Sequence, residues 1–239
     1  MVRRDEEPRS DLLSDAAFQG RHVVVTGAGG GLGAAVVEQL LARGATVHAP
    51  VRAAWTGDAR VQATRLEKLD DEAAVTAYYA GLPALWASLH VIGGFAMAPI
   101  TETSLADFEG QWRTNTLTCF LTCREAVRAM RRGKAGGRIV NVAARPAVTP
   151  APGMIAYAAA KAAVASITQS LAAEVASDGI LVNAVLPSII DTPPNRAAMP
   201  GADFAGWPKP AELAEAVLYL ASPANALTSG ALLPAYGRA

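Results

Sequence analysis

The sequence predicts a single α/β domain: a three-layer, Rossmann-like fold with a mostly parallel central sheet. Three observations carry this. Short apolar runs of strand length alternate along the chain with longer segments of helical periodicity. The first apolar run, HVVVT (His22 to Thr26), passes at once into the glycine-rich TGAGGGLG (Thr26 to Gly33) and then into a helical stretch. No central Pro/Gly/Ser linker divides the 239 residues.

In chain order, residues 1–19 read as a leader and 20–239 as the folded domain. His22 to Thr26 forms a buried first strand. Ala34 to Arg43 forms a helix, stopped by Gly44. Ala45 to Ala49 returns to extended structure, and Arg60 to Leu66 gives a weaker third strand. A helix over Asp70 to Leu82 precedes a strand over Leu85 to Ile92, which ends at Gly93 and Gly94. Leu105 to Arg132 reads as one or two helices, interrupted on the apolar face by Asn115 and Thr116. Arg138 to Val142 is a strand, Ala156 to Ser177 a long helix and Ile180 to Val185 a further buried strand. Pro210 to Ala221 forms the last helix and Gly230 to Pro234 the last strand. Parallel sheets bind ligands beyond the carboxyl ends of their strands. Gly27 to Gly33, Gly93 to Gly94, the residues after Val142, and Pro187 to Thr192 should therefore share one cleft.

Composition narrows the partners. The chain is 51% hydrophobic and 18% charged, and 21 Lys plus Arg balance 21 Asp plus Glu. This balance gives no reason to expect nucleic acid or an anionic membrane surface. The leader MVRRDEEPRS (Met1 to Ser10) mixes both charge signs without a following signal-type core. No apolar run reaches membrane-spanning length, so a cytoplasmic location is expected. Cys119 and Cys123, four residues apart in a helical pattern, read as a buried pair of small side chains, with no nearby His or further Cys to complete a zinc set. No metal is expected.

The glycine segment has the pattern TGxxxGxG, on Thr26, Gly27, Gly31 and Gly33. Its glycines allow a positive φ at the turn and close backbone approach, and the helix start behind it offers amides to an anion. The ordinary alternative is a tight turn with no ligand. At the second strand's end, HAPVR (His48 to Arg52) lacks the acidic residue that would bind a ribose diol. Arg52 there could pair with a 2′-phosphate, which favours NADP over the alternative NAD. Tyr157 and Lys161 lie one helical turn apart, and an ammonium near a phenol can make it a usable proton donor or acceptor.

These motifs, in this order and spacing, resemble the short-chain dehydrogenase/reductase family over nearly the whole chain from about Gly20. TGAGGGLG matches the family's cofactor motif, and YAAAK (Tyr157 to Lys161) its catalytic YxxxK. Asn115, in RTNT (Arg113 to Thr116), matches the asparagine that supports a relay water. NAVLPSIIDT (Asn183 to Thr192) matches the segment after the sixth strand, with Ser188 in place of the usual glycine. The family's NNAG is weakly represented by IGGF (Ile92 to Phe95), so strand support must come from elsewhere. The resemblance implies catalysis by Tyr157, Lys161 and Asn115. It implies cofactor contacts from Gly27, Gly29, Gly31, Leu32, Gly33, Arg52, Gly93, Tyr157, Lys161, Pro187, Ile190 and Thr192.

One departure stands out. The family serine, about thirteen residues before the tyrosine, falls on Ala144, and Ala143 offers no hydroxyl either. Thr149, a water or a substrate hydroxyl are the candidate replacements. The implied function is NAD(P)-dependent reduction of a carbonyl on a small or polycyclic metabolite, or the reverse oxidation of an alcohol. The alternative is a noncatalytic nucleotide-binding or scaffolding member. A substrate-covering loop is expected over 192–210, with Met199, Phe204 and Trp207 as an apolar wall. The loop Arg145 to Ile155 offers a second such surface, while Arg145 and Arg196 leave room for an acidic substrate. The alanine-rich helix faces suit subunit packing, and the family implies a homodimer or homotetramer.

Overall fold

A computed structural model describes residues 16–149 and 151–238. Most of the leader therefore lies outside the described residues. Seven strands run through the chain: β1 (His22–Thr26), β2 (Thr46–Val51), β3 (Gln62–Arg65), β4 (Ala87–His90), β5 (Gly137–Val142), β6 (Ile180–Pro187) and β7 (Leu232–Ala235). They form one sheet in the order β3-β2-β1-β4-β5-β6-β7, and every pairing is parallel.

The helices are α1 (Gly31–Ala42), α2 (Glu72–Ala80), α3 (Leu105–Gln111), α4 (Thr118–Gly133), α5 (Ile155–Glu174), α6 (Pro193–Ala198) and α7 (Pro210–Ala221). The period-two alternation of the strands sorts their side chains into two cores. Val23, Val25, Val140 and Val185 point to one face and pack with Val36 and Leu40 of α1 and Val217 and Leu218 of α7. Val24, Ile139, Val182 and Ala184 point to the other and pack with α2, α4 and α5 through Val75, Met130 and Val164. Both faces of the inner strands are covered, which is why these strands read as apolar runs. On the edge strand β3 all four residues are exposed, which explains its weak apolar signal.

Local chemistry sets the ends. Gly44, with φ +82°, turns the chain out of α1 into β2. Asp71 caps α2 by accepting from the Ala74 amide, and Ser104 and Asp107 form a reciprocal capping box on α3. The interruption expected at Asn115 and Thr116 is a π-helical turn, Trp112–Leu117, joining α3 to α4. After β3 the chain crosses β1 to start β4 on its other side. The sheet's switch point thus lies between the carboxyl ends of β1 and β4, where a ligand crevice forms.

Candidate active site

The glycine turn occupies this switch point. Gly27 has φ +72°, and a β-carbon there would lie 2.9 Å from the Ile92 amide nitrogen. A β-carbon on Gly33 would collide with the Gly27 carbonyl oxygen. Glycine at both positions thus brings the turn against β4 and seats α1 under its own entry. Gly29 meets nothing, and Gly29, Gly30 and Gly31 are exposed. No side chain caps α1 at Gly30, so its first amides face outward for an anion. These features fit a dinucleotide pyrophosphate. Leu32 lies on the buried face of α1, where it packs in the core below the turn.

The other three expected segments converge on the turn. A β-carbon on Gly31 would come within 2.8 Å of the Thr192 methyl group. Thr192 also caps α6, accepting from the Asn195 amide at 3.5 Å, and Asn195 donates to the Ile190 carbonyl at 2.8 Å. Ser188 donates to the Tyr236 carbonyl at 2.7 Å, which ties the end of β6 beyond Pro187 to the C-terminal segment. A β-carbon on Gly93 would lie 2.9 Å from Asn115 Oδ1 and 3.1 Å from Lys161 Nζ.

Asn115 is 2% exposed, and its amide is fully occupied. Nδ2 donates to the Gly94 and Gln111 carbonyls, each at 3.0 Å, and Oδ1 accepts from the Gly94 amide at 3.2 Å. This clamp, with the Ile92 amide donating to Thr26 Oγ1 at 3.4 Å, supplies the support that the missing asparagines of NNAG would give.

Lys161 is 4% exposed, and its Nζ donates to the Val142 carbonyl at 2.8 Å, joining α5 to the end of β5. Burial pulls its amine down to about 8. Tyr157 stands one turn earlier on α5, its ring centre 5.9 Å from Nζ, with Phe95 packed edge-on at 5.0 Å. Burial pushes the Tyr157 phenol up to about 12. Burial thus favours the protonated form of this phenol, in a site that also holds the Lys161 ammonium.

Ala144 is 5% exposed, in extended backbone just past β5. Thr149 is exposed in the turn that follows, and its amide donates to the Arg145 carbonyl at 2.9 Å. Arg52 is exposed immediately beyond Val51 of β2. Arg196 is engaged bidentately by Asp191, at 2.5 and 2.8 Å, and Arg145 lies 5.1 Å over the Tyr236 ring. Within 192–210, Trp207 is buried and packs edge-on against Phe204. The apolar wall expected there thus loses its largest member to the core.

The expectation that no histidine lies near the cysteines is also corrected. His90 Nδ1 is 3.5 Å from Cys123 Sγ, and the two sulfurs are 3.9 Å apart. His90 shares hydrogen bonds with Ser88 Oγ at 2.9 Å and Asn141 Oδ1 at 2.8 Å. Asn141 donates in turn to Thr168 Oγ1 at 2.9 Å. The sequence held a signal for this network. Ser88 and His90 share one face of a short apolar strand by period two, and Asn141 interrupts RIVNV, the strand that pairs with it. Sequence reasoning assigned no role to Phe95 or to the Val142 carbonyl, whereas Gly94 lies in the cleft segment expected of it. Phe95 carried a cue as the first aromatic residue after Gly93 and Gly94, whereas a backbone carbonyl leaves none.

Fold and site together define a doubly wound α/β protein with an anion-ready glycine turn near a half-buried Tyr157 and a buried Lys161. The family model described as short chain dehydrogenase matches residues 21–202, and the chain belongs to that family. It is 34% identical over 243 residues to the cis-4-hydroxycyclohexanecarboxylate dehydrogenase of Sinomonas cyclohexanicum, covering 92% of this chain and 97% of that one. It is 36% identical over 157 residues to the short-chain dehydrogenase fogB of Aspergillus ruber, covering 56% of this chain but only 58% of that protein. A solved structure described as a short chain dehydrogenase/reductase family protein superposes with a TM-score of 0.84 at 28% identity, covering 92% of this chain and 97% of the other. Homology to such proteins supports a general NAD(P)-dependent dehydrogenase activity. Among the described residues no helix is long and apolar enough to cross a membrane.

Proposed function

We propose that the protein is an NADP-dependent oxidoreductase that reduces the carbonyl group of a small or polycyclic, largely apolar substrate. The observation that carries this reading is the placement of Lys161 against Gly93, with Tyr157 one helical turn away and packed on Phe95, near the glycine turn at the sheet's switch point. When bound, the reduced nicotinamide supplies hydride to the carbonyl carbon. Gly27, Gly29, Gly31, Leu32 and Gly33 would hold the pyrophosphate end, Arg52 the 2′-phosphate, and Gly93, Pro187, Ile190 and Thr192 the remainder.

Tyr157 gives its Oη proton to the developing alkoxide. Burial keeps the phenol in the protonated form that a donor needs. Lys161, fixed by Val142, holds a positive charge beside the phenolate that remains. Asn115 keeps Gly93 and Gly94 in place and so sets the floor of the site.

Exposed apolar side chains favour an apolar substrate: Phe95, on the Tyr157 ring, is 55% exposed, and Met97 is 58% exposed. The Sinomonas relative is named for a small ring alcohol that also carries a carboxylate, which accords with the ring class and with the room that Arg145 and Arg196 leave for an acid. The segment 192–210, with α6 and a following turn at Phe204–Gly206, would cover the substrate. An apolar groove of about 570 Å³ is lined by Pro146, Val148, Pro152 and Ile155 of the loop expected to face substrate and by Ala158 and Ala162 of α5, whose alanine-rich face would also suit subunit packing in a homodimer or homotetramer. Two buried, unpaired thiols accord with a cytoplasmic location.

Ala144 favours a second reading, a nucleotide-binding member without turnover, because no hydroxyl helps Tyr157 to stabilise the carbonyl oxygen. Titration with NADPH and NADH, followed by turnover on a carbonyl panel, separates the two. Stereospecific hydride transfer abolished by Tyr157→Phe supports the reductase. Tight cofactor binding with no transfer to any carbonyl supports the second reading, and unchanged turnover in Tyr157→Phe rejects the proton donor.

A further inference from the structure

We propose that His90, Cys119 and Cys123 form a buried site for one thiophilic divalent cation of the zinc class. Cys119 and Cys123, at i and i+4, present their sulfurs side by side from α4, and His90 meets them from the end of β4. Among the described residues these are the three histidine, cysteine or acidic groups that cluster this way, with all ligand atoms within 4.8 Å of one another.

Two of the three edges match a tetrahedron around such an ion, and the third, between Cys119 and His90, lies within 4.8 Å. Zinc bonds of about 2.3 Å to sulfur and about 2.0–2.1 Å to nitrogen set edges of about 3.8 Å between sulfurs and about 3.6 Å between sulfur and nitrogen. The corresponding distances are 3.9 Å for Cys119 to Cys123 and 3.5 Å for Cys123 to His90 Nδ1. Asn141 Oδ1, 3.5 Å from Cys123 Sγ, is a neighbouring oxygen available as a fourth ligand. It is 2.8 Å from His90 Nδ1, so a small outward shift would exchange that hydrogen bond for metal ligation. A void of about 10 Å³ is bordered by His90, Cys119 and Asn141.

The surrounding groups suit this role. With the Nδ1 lone pair on the metal, the Nε2 proton is donated to Ser88 Oγ at 2.9 Å, and Ser88 is braced by Tyr79 Oη at 2.9 Å. Ligating histidines usually have such an outer partner, which fixes tautomer and ring orientation. Binding releases the two thiol protons to solvent, and two thiolates neutralise the dication. No net charge is then buried. The ion would clamp the end of β4, and with it the approach to Gly93 and Gly94, onto α4.

The test uses the full chain, produced in zinc-supplemented medium and kept reduced, with metal content measured by mass spectrometry. A chelator-stripped sample is then titrated with Co²⁺ as spectroscopic probe. The expected result is one zinc per chain as produced, and one cobalt per chain with thiolate-to-metal charge transfer and tetrahedral d–d bands, displaced by Zn²⁺. Cys119→Ala/Cys123→Ala should lose both signals, and Cys123→Ala alone should weaken binding by more than about a hundredfold. Circular dichroism checks that each variant is folded. Less than a tenth of an equivalent of zinc together with no cobalt charge transfer overturns the proposal. So does undiminished binding in whichever cysteine variant folds.

Discussion

Lys161 donates its ammonium to the Val142 carbonyl oxygen at 2.8 Å, so the residue that carries charge into the site is fixed by the sheet and not by the helix alone. Burial lowers this amine to about 8, which leaves it protonated below that pH and neutral above it. If the charge assists Tyr157, kcat/KM for carbonyl reduction should be level below pH 8 and fall tenfold per pH unit above it. Lys161→Met should lose at least about a hundredfold in kcat/KM at neutral pH. A profile that stays flat well above pH 8 in the wild type would remove Lys161 from the chemistry.

Gly93 fills the space between Asn115 Oδ1 and Lys161 Nζ, at 2.9 and 3.1 Å from where its β-carbon would stand. Neither neighbour is free to yield: Asn115 is held at Gly94 and Gln111, and Lys161 at Val142. Gly93→Ala should therefore cost about 1–3 kcal/mol of stability and reduce kcat at least about tenfold, because overpacking displaces both groups. Thermal denaturation and steady-state kinetics on the same preparation measure the two effects. A variant with wild-type Tm and kcat would show that this floor is not as tightly packed as the distances require.

Ala144 stands where the family resemblance expects a serine hydroxyl. A donor aimed at a developing oxyanion contributes roughly 3 kcal/mol, about a hundredfold in rate. Ala144→Ser should raise kcat by up to about that factor if the rest of the site is arranged for transfer. Thr149, exposed in the turn beyond, is poorly placed to substitute, and Thr149→Ala should leave kcat within about twofold of wild type. A large loss in Thr149→Ala would mean that the turn moves in to supply the hydroxyl.

The architecture was legible because the inner strands are buried on both faces and announce themselves as apolar runs, and because Gly27 and Gly33 leave a spaced signature of close approach. Tyr157, Lys161 and Asn115 were legible as residues, but their mutual effect was not. Whether an ammonium lowers a phenol, or burial raises it, depends on a distance and a dielectric that spacing along a helix does not contain. The His90–Cys123 contact was hidden because it joins residues 33 positions apart through the register of β4 against α4. Trp207 misled for a related reason. Its loop context suggested a surface, whereas its ring packs on Phe204 and is buried.

A pair of histidines on neighbouring strands contributes to the change of stability in acid. His22 Nδ1 and His48 Nε2 share a hydrogen bond at 2.9 Å on β1 and β2. Burial, reinforced by the charge His22 can carry, lowers His48 to about 4 from an ordinary 6.5. Between those values the unfolded chain binds the proton that the folded chain refuses, so stability falls with pH in this window. The contribution is complete above pH 6.5 and lost as pH drops through 4, amounting to about 2–3 kcal/mol. Urea denaturation between these limits should show the slope, and His48→Val should flatten it. An unchanged slope in the variant would assign the acid sensitivity to other groups.

Arg52 offers the sharpest test of cofactor choice. It follows Val51 directly at the carboxyl end of β2, where a carboxylate would instead select a ribose diol, and its side chain is exposed. A guanidinium pairing with a 2′-phosphate is worth about 1.5–3 kcal/mol. Arg52→Asp removes that attraction and adds repulsion, so the Kd for NADPH should rise by at least about tenfold while that for NADH holds or falls. Fluorescence titration of both cofactors at low and high salt measures this. Added salt should weaken NADPH binding to the wild type more than NADH binding, because the exposed pair is screened. Equal weakening of both cofactors by Arg52→Asp would place the phosphate contact elsewhere and withdraw the NADP assignment.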